Sequence, residues 1–435
     1  MLDQFAGHID SEFPELRTQA LLIACSGGLD SVVLARLCSA LGLRFALAHC
    51  NFQLRGSESD GDARFVAELA AKLDVPYFTK VFDLKGQLSS SEASPQLRAR
   101  ELRYAWFNDL VEETAFDLVL TAHHADDRLE TFLINLSRGT GIEGLSGIPA
   151  SNGTIKRPLL PFSRKELLEF ALAQGYIWRE DRSNQDTKYL RNQVRHEVVP
   201  ALKGLHSEFL AHFLKSLHFL EATEKLVKMH IDGVRDRLFQ NRGDGSYQID
   251  LASVMALDPL PTHLFWLFKD FGFTAPEEVA KLFKADSGKE IRSKTHRLLK
   301  DRGRLLLKPA NATQDAEFWI SETQGYIDHP LAMDITMVKT VSDPAANVAF
   351  IDKEKLNYPL LLRKWQKGDY FYPLGMRGRK KLSKFFKDEK YDGFAKEAQW
   401  LLCSGDAIVW VIGKRLDERF KVGPSTDNIL KFTVQ

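Results

Sequence analysis

Two short stretches carry residue types at spacings that could do chemistry. Ser26-Gly27-Gly28-Leu29-Asp30-Ser31 follows the apolar run Ala20–Cys25 and precedes the apolar-periodic segment Val32–Leu41. A strand, a Gly-Gly turn rich in hydroxyls and a helix start together aim backbone N–H groups at an anion. The glycines admit phosphate oxygens without a Cβ in the way, Ser26 and Ser31 add hydroxyl donors, and Asp30 can hold a metal ion that bridges phosphates. The stretch reads as a phosphate cradle. It is not a Walker loop, and Ser287-Gly288-Lys289-Glu290 lacks the upstream glycine and the final hydroxyl that such a loop needs.

The second stretch is Ala122-His123-His124-Ala125-Asp126-Asp127-Arg128-Leu129-Glu130-Thr131. One aspartate at a helix start is explained by capping alone. Two aspartates, a Glu130 one turn later on the same side and two histidines in front are not. Carboxylates packed this closely repel one another unless a cation sits among them, and Mg²⁺ or a substrate ammonium would serve.

Lesser signals lie around these two. His49 opens the run His49-Cys50-Asn51-Phe52-Gln53-Leu54-Arg55, in which Arg55 could neutralise phosphate in a fork geometry or simply be a surface charge. Arg100, Arg103 and Tyr104 stack along one helical stripe, which can face a crevice or water. Asp181, Ser183, Asn184, Tyr189, Arg191, Asn192 and Arg195 combine guanidinium, amide, hydroxyl and aromatic groups that suit a splayed base.

The elements that must position these groups alternate. Strands are expected at Ala20–Cys25, Arg44–His49, Tyr77–Phe82 and Asp117–Ala122, with helices from Ser31, over Ala63–Lys72, over Ser94–Glu113 and over Ala125–Ser137. Repeated βα units imply an α/β doubly wound parallel sheet of Rossmann-like type, with ligands at the carboxyl ends of the strands. Ser26–Asp30, His49–Asn51 and His123–Asp127 should then face one crevice.

With 435 residues, 44% of them hydrophobic and 27% charged, the chain should form two or three soluble domains. No apolar run reaches membrane-span length and Met1-Leu2-Asp3-Gln4 is not a signal-peptide start, so a cytoplasmic protein with no membrane partner is expected. The four cysteines form no C-x-x-C pair and read as small buried hydrophobes. A net charge of +1 leaves any nucleic-acid contact to a local patch.

The first loop resembles the PP-loop signature of the ATP pyrophosphatase superfamily. Combined with His-His-x-Asp-Asp-x-x-Glu-Thr at 123–131, the Arg138–Gly147 glycine-rich loop, Arg157-Pro158-Leu159-Leu160 and the Asp181–Arg195 segment, it resembles the tRNA(Ile)-lysidine synthase family. The resemblance implies that ATP adenylates the C2 oxygen of the wobble cytidine in an isoleucine tRNA with a CAU anticodon. Free L-lysine then displaces AMP. By the same resemblance Ser26, Gly27, Gly28, Leu29, Asp30, Ser31, His49, Arg55 and His123 bind ATP, and Asp30 with Asp126 holds Mg²⁺. Asp127 or Glu130 would bind the lysine ammonium and take its proton; Arg191 and Arg195 would lie on RNA or adenylate, with Arg100, Arg103, Asp181, Asn184 and Asn192 near lysine or tRNA.

The expected domains are 1–205 (catalytic), 206–312 (mainly helical, scaffold or tRNA-binding) and 313–435 (a small α+β tRNA-binding domain). Helices are expected over Phe209–Leu220, Leu226–Phe239 and Leu264–Phe271, and strands over Leu305–Leu307, Leu360–Lys364, Ile408–Ile412 and Ile429–Val434. Arg379, Lys380 and Lys381 belong to a basic block interleaved with Tyr370, Phe371, Tyr372, Phe385 and Phe386, on which bases could stack. Oligomeric state is not legible, and a homodimer is left open. The competing readings are another PP-loop enzyme such as a tRNA thiolase, which needs a reactive cysteine, and a catalytically silent RNA-binding protein.

Overall fold

The computed structural model describes residues 1–53, 56–83, 95–180, 190–310, 317–342 and 345–435. The chain forms two compact units, Met1–Lys228 and Met229–Gln435.

The first unit is built on a sheet whose strands are nearly all apolar. In chain order it runs α1 (Leu2–Glu12), β1 (Leu21–Ala24), α2 (Leu29–Ala40), β2 (Phe45–Asn51), α3 (Ser57–Leu73), β3 (Tyr77–Val81), α4 (Pro95–Glu113), β4 (Leu118–Leu120) and α5 (Ala125–Ser137). Then come α6 (Ile142–Leu145), β5 (Ser151–Asn152), β6 (Ile155–Lys156) and α7 (Arg164–Ala173). The six strands lie in the order β3-β2-β1-β4-β6-β5, parallel except for β5.

Successive residues of a strand serve opposite faces, which is why these strands are apolar throughout. Leu21, Ile23, Phe45 and Leu47 pack with α1, α2 and α7 on one side; Leu22, Ala46, Ala48 and Val119 pack with Trp106, Phe107 and Leu110 of α4 on the other. The strand order reverses at β1, between β2 and β4, and that reversal opens a crevice at their carboxyl ends.

The elements expected from periodicity are present, α5 with the expected bounds, while α3 begins at Ser57 rather than Ala63. The glycine-rich Arg138–Gly147 stretch is a loop enclosing α6, with the Gly144 carbonyl accepting from Asn135 Nδ2 at 2.8 Å. Its spelling, G-x-G-x-x-G from Gly139 to Gly144, follows a helix rather than a strand, so it is no dinucleotide fingerprint.

Beyond α7 lie α8 (Leu190–Gln193), one π turn (Val194–Val198) and α9 (Val199–Lys203). A 30-residue helix, α10 (Phe209–Leu238), follows. Sequence periodicity divides α10 in two because Glu221–Lys225 is polar, yet Glu221 is the ion-pair partner of Arg128 on α5.

In the second unit, helices at Leu251–Met255, Leu260–Phe268 and Pro276–Lys284 accompany a five-stranded antiparallel sheet, of which only Leu305–Leu307 was legible as strand. Two further antiparallel sheets of five and four strands enclose a core that includes Leu360, Leu362, Leu402, Trp410 and Phe432. The strands Leu360–Lys364 and Ile429–Val434 have the expected bounds.

Candidate active site

The Ser26–Ser31 loop is tied by its own hydroxyls. Ser31 Oγ donates to the Gly28 carbonyl at 3.0 Å and accepts from the Ser26 N–H at 3.2 Å, while the Gly28 N–H donates to Ser26 Oγ at 3.3 Å. Gly27 sits at φ +87°, where a Cβ would be strained and would come within 3.3 Å of Phe65 and 3.4 Å of Val66. Gly28 caps α2, so the loop delivers the unpaired N–H groups of that helix's first turn, and Asp30, into the crevice.

The end of β2 meets the loop through His49, whose Nδ1–H donates to the Cys25 carbonyl at 2.9 Å. Burial lowers the pKa of His49, which the Cys25 carbonyl and Asp62 only partly offset. The end of β4 meets it through His124: Nε2 lies 3.6 Å from Asp30 Oδ2 and 3.5 Å from Asp127 Oδ2, and Nδ1 lies 3.9 Å from Asp126 Oδ2. The three polar strand ends therefore converge.

The acidic cluster is buried: Asp126 is 8% exposed, Asp127 7% and Glu130 1%. Its cations come from the chain itself, where the sequence argument sought them outside. Arg191 Nη2 donates to Asp127 Oδ1 at 2.8 Å and Nε to Glu130 Oε2 at 2.9 Å. Arg195 reaches Asp127 Oδ1 at 3.1 Å and Glu130 at 2.5 and 3.0 Å. Lys203 Nζ pairs with Asp126 Oδ1, whose other oxygen accepts the Arg164 N–H at 2.8 Å. Lys203 carried no sequence signal; it arrives because the π turn and α9 bring it back over α5.

These partners set the protonation states. Burial raises the Asp127 pKa, but His124, Arg191 and His123 together outweigh it and hold the carboxyl at about 2. For Asp126, burial is likewise outweighed, by the Arg164 N–H and Lys203, and the net shift is downward. Burial pushes His124 down, yet Asp127, Asp30 and Asp126 raise it above the ordinary value. His123 goes the other way, to about 4, because burial dominates and Arg157, Arg191 and Arg100 add repulsion. Adjacent histidines are thus shifted in opposite directions, His124 toward the imidazolium and His123 toward the neutral imidazole. Four carboxylates (Asp30, Asp126, Asp127, Glu130) face three cations (Arg191, Arg195, Lys203) and His124, whose pKa they raise.

Among the remaining expected residues, Arg100 lies over Tyr104 at 5.0 Å and Arg103 over Phe52 at 5.6 Å, both on α4. Asn192 lies on α8 beside Arg191. Arg55, Asp181 and Asn184 fall outside the described residues. In the second unit Arg379 and Lys381 are exposed, whereas Lys380 pairs with Asp388 at 2.7 Å. The stacking platform is smaller than expected. Phe371, Phe385 and Phe386 are core residues packed under Leu382 and Leu401, and of the aromatics in this block only Tyr370, 44% exposed, and the half-buried Tyr372 remain accessible.

For a metal ion, Asp30 offers a buried Oδ1 without a partner, an orphan that a hard cation would satisfy. Among the described residues no group of three or more His, Cys, Asp or Glu side chains is arranged to hold a metal ion. Magnesium on a nucleotide asks for only one or two carboxylates, the phosphates and water supplying the rest.

A glycine-hydroxyl loop between a parallel strand and its helix, opposed by an acidic helix start across the sheet's switch point, defines a nucleotide-binding α/β site of the PP-loop class. The model described as a PP-loop domain matches residues 1–202, that of a TilS substrate binding domain matches 242–310, and that of a TilS substrate C-terminal domain matches 360–432. The tRNA(Ile)-lysidine synthase of Parabacteroides distasonis is 38% identical over 416 residues, covering 94% of this chain and 94% of that protein. That of Bacteroides thetaiotaomicron is 33% identical over 430 residues, covering 98% of each, and that of Porphyromonas gingivalis 36% over 423 residues, covering 94% and 92%. The chain belongs to the tRNA(Ile)-lysidine synthase family.

Proposed function

We propose that the protein joins L-lysine to C2 of the wobble cytidine in an isoleucine tRNA with a CAU anticodon, consuming ATP and releasing pyrophosphate and AMP. The observation that carries this reading is the meeting of the phosphate loop and the acidic cluster on His124, which stands 3.6 Å from Asp30 and 3.5 Å from Asp127. A nucleotide held by the loop would lie within reach of an amine held by the cluster.

In the first half-reaction the cytidine O2 attacks the α-phosphate and pyrophosphate leaves. The N–H groups at the start of α2, with Ser26 and Ser31, would hold the leaving oxygens, and His124, whose pKa the neighbouring aspartates raise, would add positive charge beside them when protonated. Asp30, through its orphan oxygen, and Asp126 would hold Mg²⁺, which supplies charge neutralisation on the phosphates when bound. Asp126 is already engaged by Lys203, so its share is the smaller.

In the second half-reaction the lysine amine, once deprotonated, attacks C2 and AMP leaves. A carboxyl held at about 2 is a poor base, so Asp127 suits binding the ammonium. Glu130, the other candidate for taking its proton, has both oxygens on Arg191 and Arg195, so a guanidinium would have to turn away before it could act. Arg191 and Arg195 fix both carboxylates in place, and Arg191, with its side chain 41% exposed, is the one able to turn toward the adenylate phosphate. The thiolase reading finds no support in the cysteines. Burial raises the Cys25 thiol and drives Cys50 to about 12, so neither is poised as a thiolate.

The reading is tested by incubating purified protein with ATP, Mg²⁺, labelled lysine and the isoleucine tRNA. ATP-dependent entry of label into the RNA supports it, and label that stays out under conditions where the tRNA is bound contradicts it.

A further inference from the structure

Arg179 was not among the residues singled out from the sequence, yet it touches the phosphate loop from outside. Its backbone N–H donates to the Gly27 carbonyl at 3.0 Å. Its Nε donates to Asp62 Oδ1, from the second turn of α3. Asp62 is 8% exposed and its carbonyl passes 3.9 Å from the position a Gly27 Cβ would take. The guanidinium lies close against Gly61: a Cβ there would come within 3.0 Å of Nη2 and 3.3 Å of Cζ. Just upstream, Trp178 and Tyr176 pack on the first unit's core, so the strand of chain that presents Arg179 is itself anchored.

We infer that Arg179 is a positioning residue for the phosphate loop: with Asp62 it clips the Gly27–Gly28 turn to α3 and holds that turn in its nucleotide-ready shape. A surface ion pair alone would add little. Here the same residue bonds the loop's main chain at its one left-handed position and is gripped by an acid on the helix that packs beneath that position. Loss of the guanidinium frees Arg179 from α3 just beyond the anchored Trp178 and weakens the hydrogen bond that restrains Gly27. The effect falls on ATP, not on lysine or tRNA. This inference rests on the ATP-using reading above, and its test separates the two.

The first measurement is amide hydrogen exchange over residues 26–29 in the ligand-free full chain. Faster exchange in Arg179→Met and in Asp62→Asn, with the double variant no faster than either single one, is the expected result. Unchanged protection in both single variants overturns the clip whatever the protein's activity. The second measurement is steady-state lysidine formation. Arg179→Met should raise KM for ATP roughly tenfold, an allosteric-scale coupling, with kcat and KM for lysine near wild type, and Arg179→Lys should recover part of the loss. Gly61→Ala, which crowds the guanidinium without removing a charge, should give a smaller rise in the same constant. A fall in kcat with KM for ATP unchanged, or an equal rise for lysine, contradicts the inference. A wild-type protein that makes no lysidine counts against the functional reading, and hydrogen exchange still decides the clip.

Discussion

Asp127 and Glu130 share two guanidinium groups, a pairing that spacing alone could not reveal. Removing Arg191 takes one cation from both carboxylates while Arg195 remains, so the fold should survive. We expect Arg191→Ala to lower kcat on the order of 100-fold, the usual cost of losing one electrostatic contact in a closed site; unchanged turnover would remove it from the chemistry. The raised pKa of buried His124 gives a pH prediction. The folded pKa of His124 lies above its unfolded value, so its stabilising contribution is complete below about pH 6.5 and fades as pH rises through the folded pKa. In chelator-treated protein, the melting-temperature gap between wild type and His124→Asn should therefore be widest in mild acid and narrow toward alkaline pH. A gap that widens with pH would show that the histidine is buried neutral. At this scale the sequence was most informative where chemistry is local. The clustering of Asp126, Asp127 and Glu130 was visible, whereas the pairing of Asp126 with Lys203, 77 residues further along the chain, left no trace in either stretch.

At the scale of elements, α2 and α5 start where they do because Gly28 and His124 are extended and the following residues are apolar at helical spacing. Asp127 strengthens the second start by accepting the His124 N–H at 3.0 Å, so the same carboxylate caps a helix and lines the site. The left-handed Gly27 makes the first start dependent on a missing Cβ. Gly27→Ala should raise KM for ATP by more than tenfold while leaving the melting temperature within a few degrees, because the strain falls on one turn and the sheet beneath is untouched. A variant with wild-type KM would show that the turn is not held in this shape during binding. The parallel strands were legible because they are buried on both faces. Of the second unit's sheets, the one that accompanies the helices was legible only at Leu305–Leu307, since strands such as Tyr247–Asp250 and Glu290–Arg292 are short and mixed in polarity, and α10 was split because the polar stretch that interrupts its pattern includes the ion-pair partner of Arg128. The π turn that sets Arg195 and Lys203 on one side of α5 has no compositional mark at all.

At the scale of the whole molecule, a net charge of +1 requires that RNA be met locally. Arg379 and Lys381 are exposed, but three of the aromatics beside them are spent on the core, so this patch suits phosphate tracking more than base stacking. Replacing Arg379 and Lys381 with alanine should weaken tRNA binding and make the slope of log affinity against log salt shallower by about 2, one for each lost phosphate contact. A slope identical to wild type would take the patch out of the interface. No described helix is long and apolar enough to cross a membrane.

The central claim is that one crevice brings ATP, lysine and a cytidine together, and transfer of label measures it most directly. With ATP, Mg²⁺, isoleucine tRNA bearing a CAU anticodon and radiolabelled lysine, wild-type protein should place one lysine per tRNA at the wobble position and release AMP in equal amount. Asp30→Asn should abolish both. Lysine incorporation that persists without ATP, or that survives the loss of Asp30 undiminished, would contradict the account.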